Sequence, residues 1–204
     1  MGNPEPERGQ QPDATGAAVC DGKILASNSG RCVEEPLREG ELALNLGCGH
    51  CIWPGWVNVD GFDERADVTA DLLKLPYVDG AVDRIAAIHV LEHFYLWDAR
   101  KALKEWLRVL KPGGRLTIEL PSMDAVFGHI GARMRKGEMP SATFSWLPIW
   151  GDPRHENPAM THKWGYFRSD AKSMLTEAGF TDVTIQPARY HFPTRDMRCE
   201  GVKP

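Results

Sequence analysis

Four groups of residues in this sequence have the types and spacing to do chemistry. The first is Gly47-Cys48-Gly49 after the apolar run 42–46, together with Asp60 at the end of Val57-Asn58-Val59. Glycines without a Cβ let backbone approach a ligand closely, and a carboxylate closing the next strand accepts two hydrogen bonds from a ribose diol. A tight turn alone also accounts for such glycines, so the pair gains weight only from the motifs that accompany it along the chain. The second group is Cys48-Gly49-His50-Cys51, a C-x-x-C motif with the Gly-His filling of disulfide isomerases. Redox use needs a helix start that keeps one thiol ionised, and Pro54 spoils that helix. Zinc on the same pair needs two further ligands at regular spacing, which Cys20 and Cys32 do not supply.

The third group, His89-x-x-Glu92-His93, fits the inverted zinc-peptidase pattern. That chemistry requires both imidazoles on one helical face, yet His89 ends a strand-like run, so Glu92 and His93 serve equally well as capping and packing residues. The fourth lies in an aperiodic stretch, 136–167, that holds Asp152, Arg154, His155, His162, Trp164 and Tyr166. Such groups position a polar acceptor or remove its proton; an aromatic cover over a sheet end is the plainer alternative.

The elements that must position these residues follow from periodicity. Residues 42–46, 57–60 and 84–90 read as buried strands, with a weak strand at 67–69 between the last two. Ala99, Ala102, Leu103, Trp106, Leu107 and Leu110 recur at helical spacing and stop at Lys111-Pro112-Gly113-Gly114. Leu116, Ile118 and Leu120 alternate as a strand, after which Ser122 is placed to cap a helix whose Met123, Val126, Phe127 and Ile130 share a face. Ser169 is placed to cap another helix, closed by Gly179, and Val183 and Ile185 alternate beyond it. Residues 196–202 read as a last edge strand, and Trp53, Trp56, Trp97 and Trp106 as core. Alternating strands and helices predict an α/β fold: a Rossmann-like, doubly wound, mostly parallel sheet with helices on both faces and 136–167 as an irregular lid. Ligands of such sheets sit at the carboxyl ends of the strands, where the first three groups lie.

Composition narrows the partners. The 204 residues are 42% hydrophobic and 25% charged, with 24 Lys and Arg against 28 Asp and Glu for a net charge of −4. No apolar run approaches the roughly 20 residues of a membrane span, and the basic track of a nucleic-acid binder is missing. The first aromatic is Trp53, and residues 1–38 are rich in Pro, Gly, Gln and Glu. That composition predicts disorder over about 1–20, a short docked element at 23–26, and a division into an N-terminal segment, 1–38, and a domain, 39–204. Five cysteines without regular spacing and no basic-then-apolar opening predict a cytoplasmic protein with reduced thiols.

The order of these motifs, from Gly47-x-Gly49 through Asp60, Asp71-Leu72, Val90-Leu91-Glu92-His93 and Arg108-Val109-Leu110-Lys111-Pro112-Gly113-Gly114, resembles the class I S-adenosylmethionine-dependent methyltransferases. The likeness is to their type 11-like small-molecule or glycan branch. It covers 42–122 closely and 169–186, with Glu177-Ala178-Gly179-Phe180, more loosely. It implies S-adenosylmethionine as cofactor, held by Asn45, Gly47, Cys48, Gly49, Asp60, Asp71, Leu72 and His89. It also implies methyl transfer by in-line displacement onto a small-molecule or sugar-like acceptor without a metal, while the charge balance and the lack of a long apolar run predict no nucleic-acid or membrane partner. A histidine base helps for an oxygen acceptor, and His89, His155 and His162 are the candidates in that order. Two features depart from the family pattern: Cys51 stands where a third glycine is often seen, and the link from Gly49 to Trp56 is too short for a crossover helix. The rival readings are a metal-dependent hydrolase or metal-assisted methyltransferase built on His89, Glu92 and His93, and a cofactor-binding module without catalysis.

Overall fold

The computed structural model describes residues 37–204 and two short strands before them, β1 (Ala18–Cys20) and β2 (Lys23–Leu25), which pair antiparallel. The element expected at 23–26 is β2; the disorder expected over 1–20, and the rest of segment 1–38, otherwise fall outside the described residues.

The remaining strands are β3 (Ala43–Leu46), β4 (Val57–Asp60), β5 (Val68–Thr69), β6 (Val82–Ile88), β7 (Leu110–Pro121), β8 (Thr181–Pro187) and β9 (Asp196–Val202). They form one seven-stranded sheet in the order β5-β4-β3-β6-β7-β9-β8. All pairings from β5 to β7 are parallel, and β9 runs antiparallel to both of its neighbours. The tail is therefore interior rather than an edge. Met197 and Cys199 are fully buried on one face, while Asp196 and Arg198 are buried as ion pairs on the other. The mostly exposed β8 takes the edge instead.

Helix α1 (Leu96–Val109) lays Ala99, Ala102, Leu103, Trp106 and Val109 on the sheet. It shares that face with α4 (Arg168–Ala178), which contributes Ala171, Met174 and Leu175 to the same core. Helix α2 (Met123–Arg135) follows β7, and the lid contains only short turns at Ala142–Trp146, α3 (Leu147–Trp150) and Pro158–Met160.

Between β3 and β4 no helix intervenes, and the sheet face there is covered differently. Ala43 and Ala86 are small, and Trp53 and Trp56 pack onto them in an edge-to-face pair with ring centroids 5.1 Å apart. Asn58 fixes the link: its Oδ1 accepts from the Trp53 amide at 2.8 Å and from Asn45 Nδ2 at 3.0 Å, and its Nδ2 donates to Asp67 Oδ2 at 2.8 Å. A buried amide with every group engaged substitutes for the crossover helix as a spacer.

Several local expectations are corrected. Trp97 is 60% exposed and stacks on Tyr95, because it lies on the outer side of α1. Phe127 is half-exposed against Phe167, so only Met123 and Val126 of the expected α2 face are buried. The Ser122 hydroxyl makes no capping bond; the residue's amide instead donates to the Arg195 carbonyl at 3.0 Å. Ser169 lies inside α4, whose first amide, of Arg168, is satisfied by Asp124 Oδ2 at 2.8 Å. Strand β6 stops at Ile88 rather than at residue 90, because His89 takes a left-handed conformation with φ 55°.

Candidate functional site

The carboxyl ends of β3, β4, β5 and β6 open into one cavity of about 880 Å³. Asn45, Gly47, Cys48, Gly49, Asp60, Asp71, Leu72, His89 and His155 all line it, and His162 does not.

The chain turns sharply after β3 because the Gly47 and Cys48 amides both donate to the Val59 carbonyl, at 2.8 and 3.3 Å. Gly47 has φ 62°, and a Cβ there would lie 2.6 Å from Val90 Cγ2. Gly49 has φ 49° and open space where its Cβ would stand, so its backbone faces the cavity bare. The Asp60 carboxylate organises the rim: Oδ2 accepts from the Gly49 amide at 2.9 Å, and Oδ1 from the amides of Phe62 at 2.8 Å and Asp63 at 3.1 Å. A carboxylate offers about four acceptor sites, so one on Oδ2 remains for a ligand hydroxyl.

Cys48, whose thiol is buried, and Cys51 flank Gly49 in this turn. Burial, with the nearby carboxylates of Asp60 and Asp63 adding to it, pushes the Cys48 thiol up to about 12. A thiol that stays protonated is a poor nucleophile. The wild-type protein is therefore expected to show no dithiol turnover in an insulin-reduction assay; measurable turnover would restore the redox reading of the C-x-x-C motif.

His89 sits strained at the end of β6, held by its amide's bond to the Glu119 carbonyl at 2.7 Å. Its Nδ1 is 2.8 Å from Glu92 Oε1 and its Nε2 is 3.3 Å from Asp196 Oδ2, with the His191 ring tilted against it at a centroid distance of 4.1 Å. Burial disfavours the imidazolium, but the two carboxylates outweigh it and raise the His89 pKa. Burial of Glu92 is likewise outweighed by His89, which keeps that carboxylate ionised. His89 and His93 do not converge: His89 groups with His191 and Asp196, and His93 with Glu92 and His162.

Sequence reading did not single out Tyr190 and His191, which also line the cavity. They lie in the loop after β8, a strand parallel to β7, and so reach the same carboxyl end of the sheet. Glu119 pins that loop, its Oε1 and Oε2 accepting from the amides of Arg189 and Tyr190 at 2.8 and 3.0 Å. The only signal available in the sequence was the aromatic-histidine pair itself.

Comparison with known proteins places this arrangement. Residues 44–118 match the methyltransferase domain family. The chain is 30% identical over 145 residues to the ubiquinone/menaquinone biosynthesis C-methyltransferase UbiE of Pseudomonas putida, covering 67% of this chain and 52% of the relative. It is 41% identical over 63 residues to the methyltransferase GfsG of Streptomyces halstedii, covering 30% of this chain and 22% of the relative. The chain thus spans about half the length, or less, of these curated relatives. A solved S-adenosylmethionine-dependent methyltransferase from Archaeoglobus fulgidus shares the fold at TM-score 0.58 and 16% identity, over 80% of this chain and 86% of that one. With its sheet order, its glycine turn and its match over 44–118, the chain carries a methyltransferase domain on the Rossmann-like fold of the class I methyltransferases.

Proposed function

We propose that this protein transfers a methyl group from S-adenosylmethionine to a small-molecule or sugar-like acceptor. The observation that carries the reading is the single cavity at the carboxyl ends of β3 to β6, where Gly49 presents bare backbone and Asp60 keeps an acceptor site open. The residues fit the cofactor: Asp60 receives a ribose hydroxyl at its remaining acceptor site, Asp71 and Leu72 meet the adenine side, and the turn of Gly47, Cys48 and Gly49, braced by Asn45, passes the methionyl part. When bound, the cofactor supplies an electrophilic methyl group and its own leaving group, so the chain's tasks are orientation and exclusion of water.

His89 contributes as a fixed, charged anchor of the β6 end rather than as a base, since both of its nitrogens face carboxylates. His155, exposed on the lid and lining the cavity, is the better group to accept a proton from an oxygen acceptor. His162 points its Nδ1 at the Pro148 carbonyl, 2.8 Å away, and stands outside the cavity wall. The acceptor side of the cavity, with Asn157, Met160, Lys163 and Tyr190, offers hydrogen-bonding and apolar surface together, which suits a small polar molecule. The names of the curated relatives, one of them a quinone-biosynthesis methyltransferase, are in keeping with a small acceptor.

Calorimetry with S-adenosylmethionine and S-adenosylhomocysteine, followed by transfer of a labelled methyl group to a panel of small acceptors, tests the reading. Binding of both nucleosides is expected, and failure of either to bind at millimolar concentration would reject it.

A further inference from the structure

Behind the cavity wall, the lid is stitched to the turn Leu91–His93 that follows β6. The amides of Lys163 and Trp164 both donate to the Glu92 carbonyl, at 2.8 and 3.3 Å. His93 Nδ1 lies 3.3 Å from the Thr161 carbonyl, and His162 Nδ1 lies 2.8 Å from the Pro148 carbonyl. Each ring thus gives Nδ1–H to a backbone oxygen and keeps Nε2 as its lone-pair nitrogen. The two rings meet edge to face with centroids 4.9 Å apart.

Between them lies Glu92, 1% exposed. Its Oε1 is bound by His89, and its Oε2 is buried without any hydrogen-bond partner. One ligand atom from each of Glu92, His93 and His162 falls within 4.8 Å of the others. A buried carboxylate oxygen with no hydrogen-bond partner, facing two imidazoles, is costly unless a further group joins it. Each piece has the form that metal sites take: imidazoles oriented by Nδ1 bonds to carbonyls, and a carboxylate whose second oxygen is held from behind.

We propose that Glu92, His93 and His162 bind one divalent transition-metal ion of the zinc class at the wall of the cavity. Two imidazoles and one carboxylate select zinc or cobalt over magnesium, which prefers oxygen ligands and keeps its waters. Tetrahedral bonds of about 2.1 Å put ligand atoms roughly 3.4 Å apart, inside the 4.8 Å within which these three already lie. Because His93 also lines the cavity, an ion bound to it would stand beside the acceptor's space, where it would polarise an acceptor oxygen. This use of the ion rests on the methyl-transfer reading; the site itself does not. It replaces the sequence-based set of His89, Glu92 and His93, for the fold swaps in His162 and leaves His89 as the residue that orients Glu92.

The test is titration of the whole chain, stripped with chelator, with cobalt followed by its visible spectrum and with zinc by calorimetry. One ion per chain is expected. Glu92→Gln and His162→Ala should each weaken it by more than about 100-fold, and His89→Gln, which disturbs the orientation of Glu92 but removes no ligand, by about 10- to 100-fold. His155→Ala should leave it unchanged. Circular dichroism and S-adenosylmethionine affinity, measured on every variant, separate loss of the site from loss of the fold. No stoichiometric ion, or binding that survives His162→Ala and is lost in His191→Ala, would overturn the proposal, the second by moving the ion to the neighbouring cluster of His89, His191 and Asp196. Stoichiometric metal in a protein that binds no S-adenosylmethionine would retain the site and reject the methyltransferase reading instead.

Discussion

Replacing Asp60 with alanine is expected to weaken S-adenosylmethionine binding about 30- to 150-fold, the equivalent of about 2 to 3 kcal/mol for lost hydrogen bonds to a charged group. The loss has two parts. A ribose hydroxyl loses its acceptor, and the amides of Gly49, Phe62 and Asp63 lose the group that holds the cavity rim in shape. Asp60→Asn separates them, since an amide keeps one acceptor oxygen for the rim but lacks the charge; its affinity should fall between alanine and wild type. Asp71→Ala is the comparison within the same cavity. Asp71 is exposed and accepts only the Leu73 amide, at 2.9 Å, so its loss should cost less than that of Asp60. Calorimetry on the three variants gives the order directly, and an Asp60→Ala affinity within twofold of wild type would remove Asp60 from the site.

The largest effect on stability is expected at Glu119. Its side chain is fully buried in β7 and receives Arg198 at 3.2 Å from β9 as well as the amides of Arg189 and Tyr190. Glu119→Ala takes one of two carboxylates from the Arg198 guanidinium, itself 3% exposed at the side chain, and leaves Glu200 at 3.0 Å as the other. Removing one member of a buried ion pair costs about 3 to 5 kcal/mol, which for a chain of this size lowers Tm by roughly 6 to 20 °C. Glu119→Gln keeps the shape and one acceptor and should lose less. The loop also gains freedom when its amides are released, so Glu119→Ala should be cleaved by trypsin after Arg189 faster than wild type while still folded. A melting temperature within 2 °C of wild type, roughly half a kilocalorie, would show that the pair carries no net stability.

Most of the parallel half of the sheet was legible in the sequence, because each of its elements writes its own local pattern. The run 42–46 is buried on both faces and reads as continuous apolar sequence, and α1 repeats its buried residues at helical spacing. The glycine turn and Asp60 were legible for the same reason: a turn and the strand end that succeeds it are close in sequence. Partnership between distant segments was not. Nothing local distinguishes β9 as an interior strand, since its place depends on β7 and β8 jointly choosing it. His89 and His93 look like a pair by spacing, but a left-handed residue at 89 turns the two rings away from each other and a lid histidine takes the place beside His93. The Trp53 and Trp56 cover was read as core, while its role in standing in for a helix follows only from the Asn45–Asn58–Asp67 hydrogen bonds beneath it.

Because β9 lies between β7 and β8, the order in which the ribosome delivers the strands is not the order in which the sheet must be assembled. Until residues 196–202 emerge, the nascent chain holds a long strand, β7, with a bare hydrogen-bonding edge, and β8 has nothing to pair with. Bare edges recruit strands from other chains, so the interval before β9 arrives is the period of greatest exposure to misassembly. Closure then comes in one late event that seats Met197 and Cys199 in the core, places Asp196 against His89 and joins Arg198 to Glu119. Emergence of residues 196–202 and completion of the pocket are thereby one step, and a nascent chain that lacks them has no finished ligand site to offer.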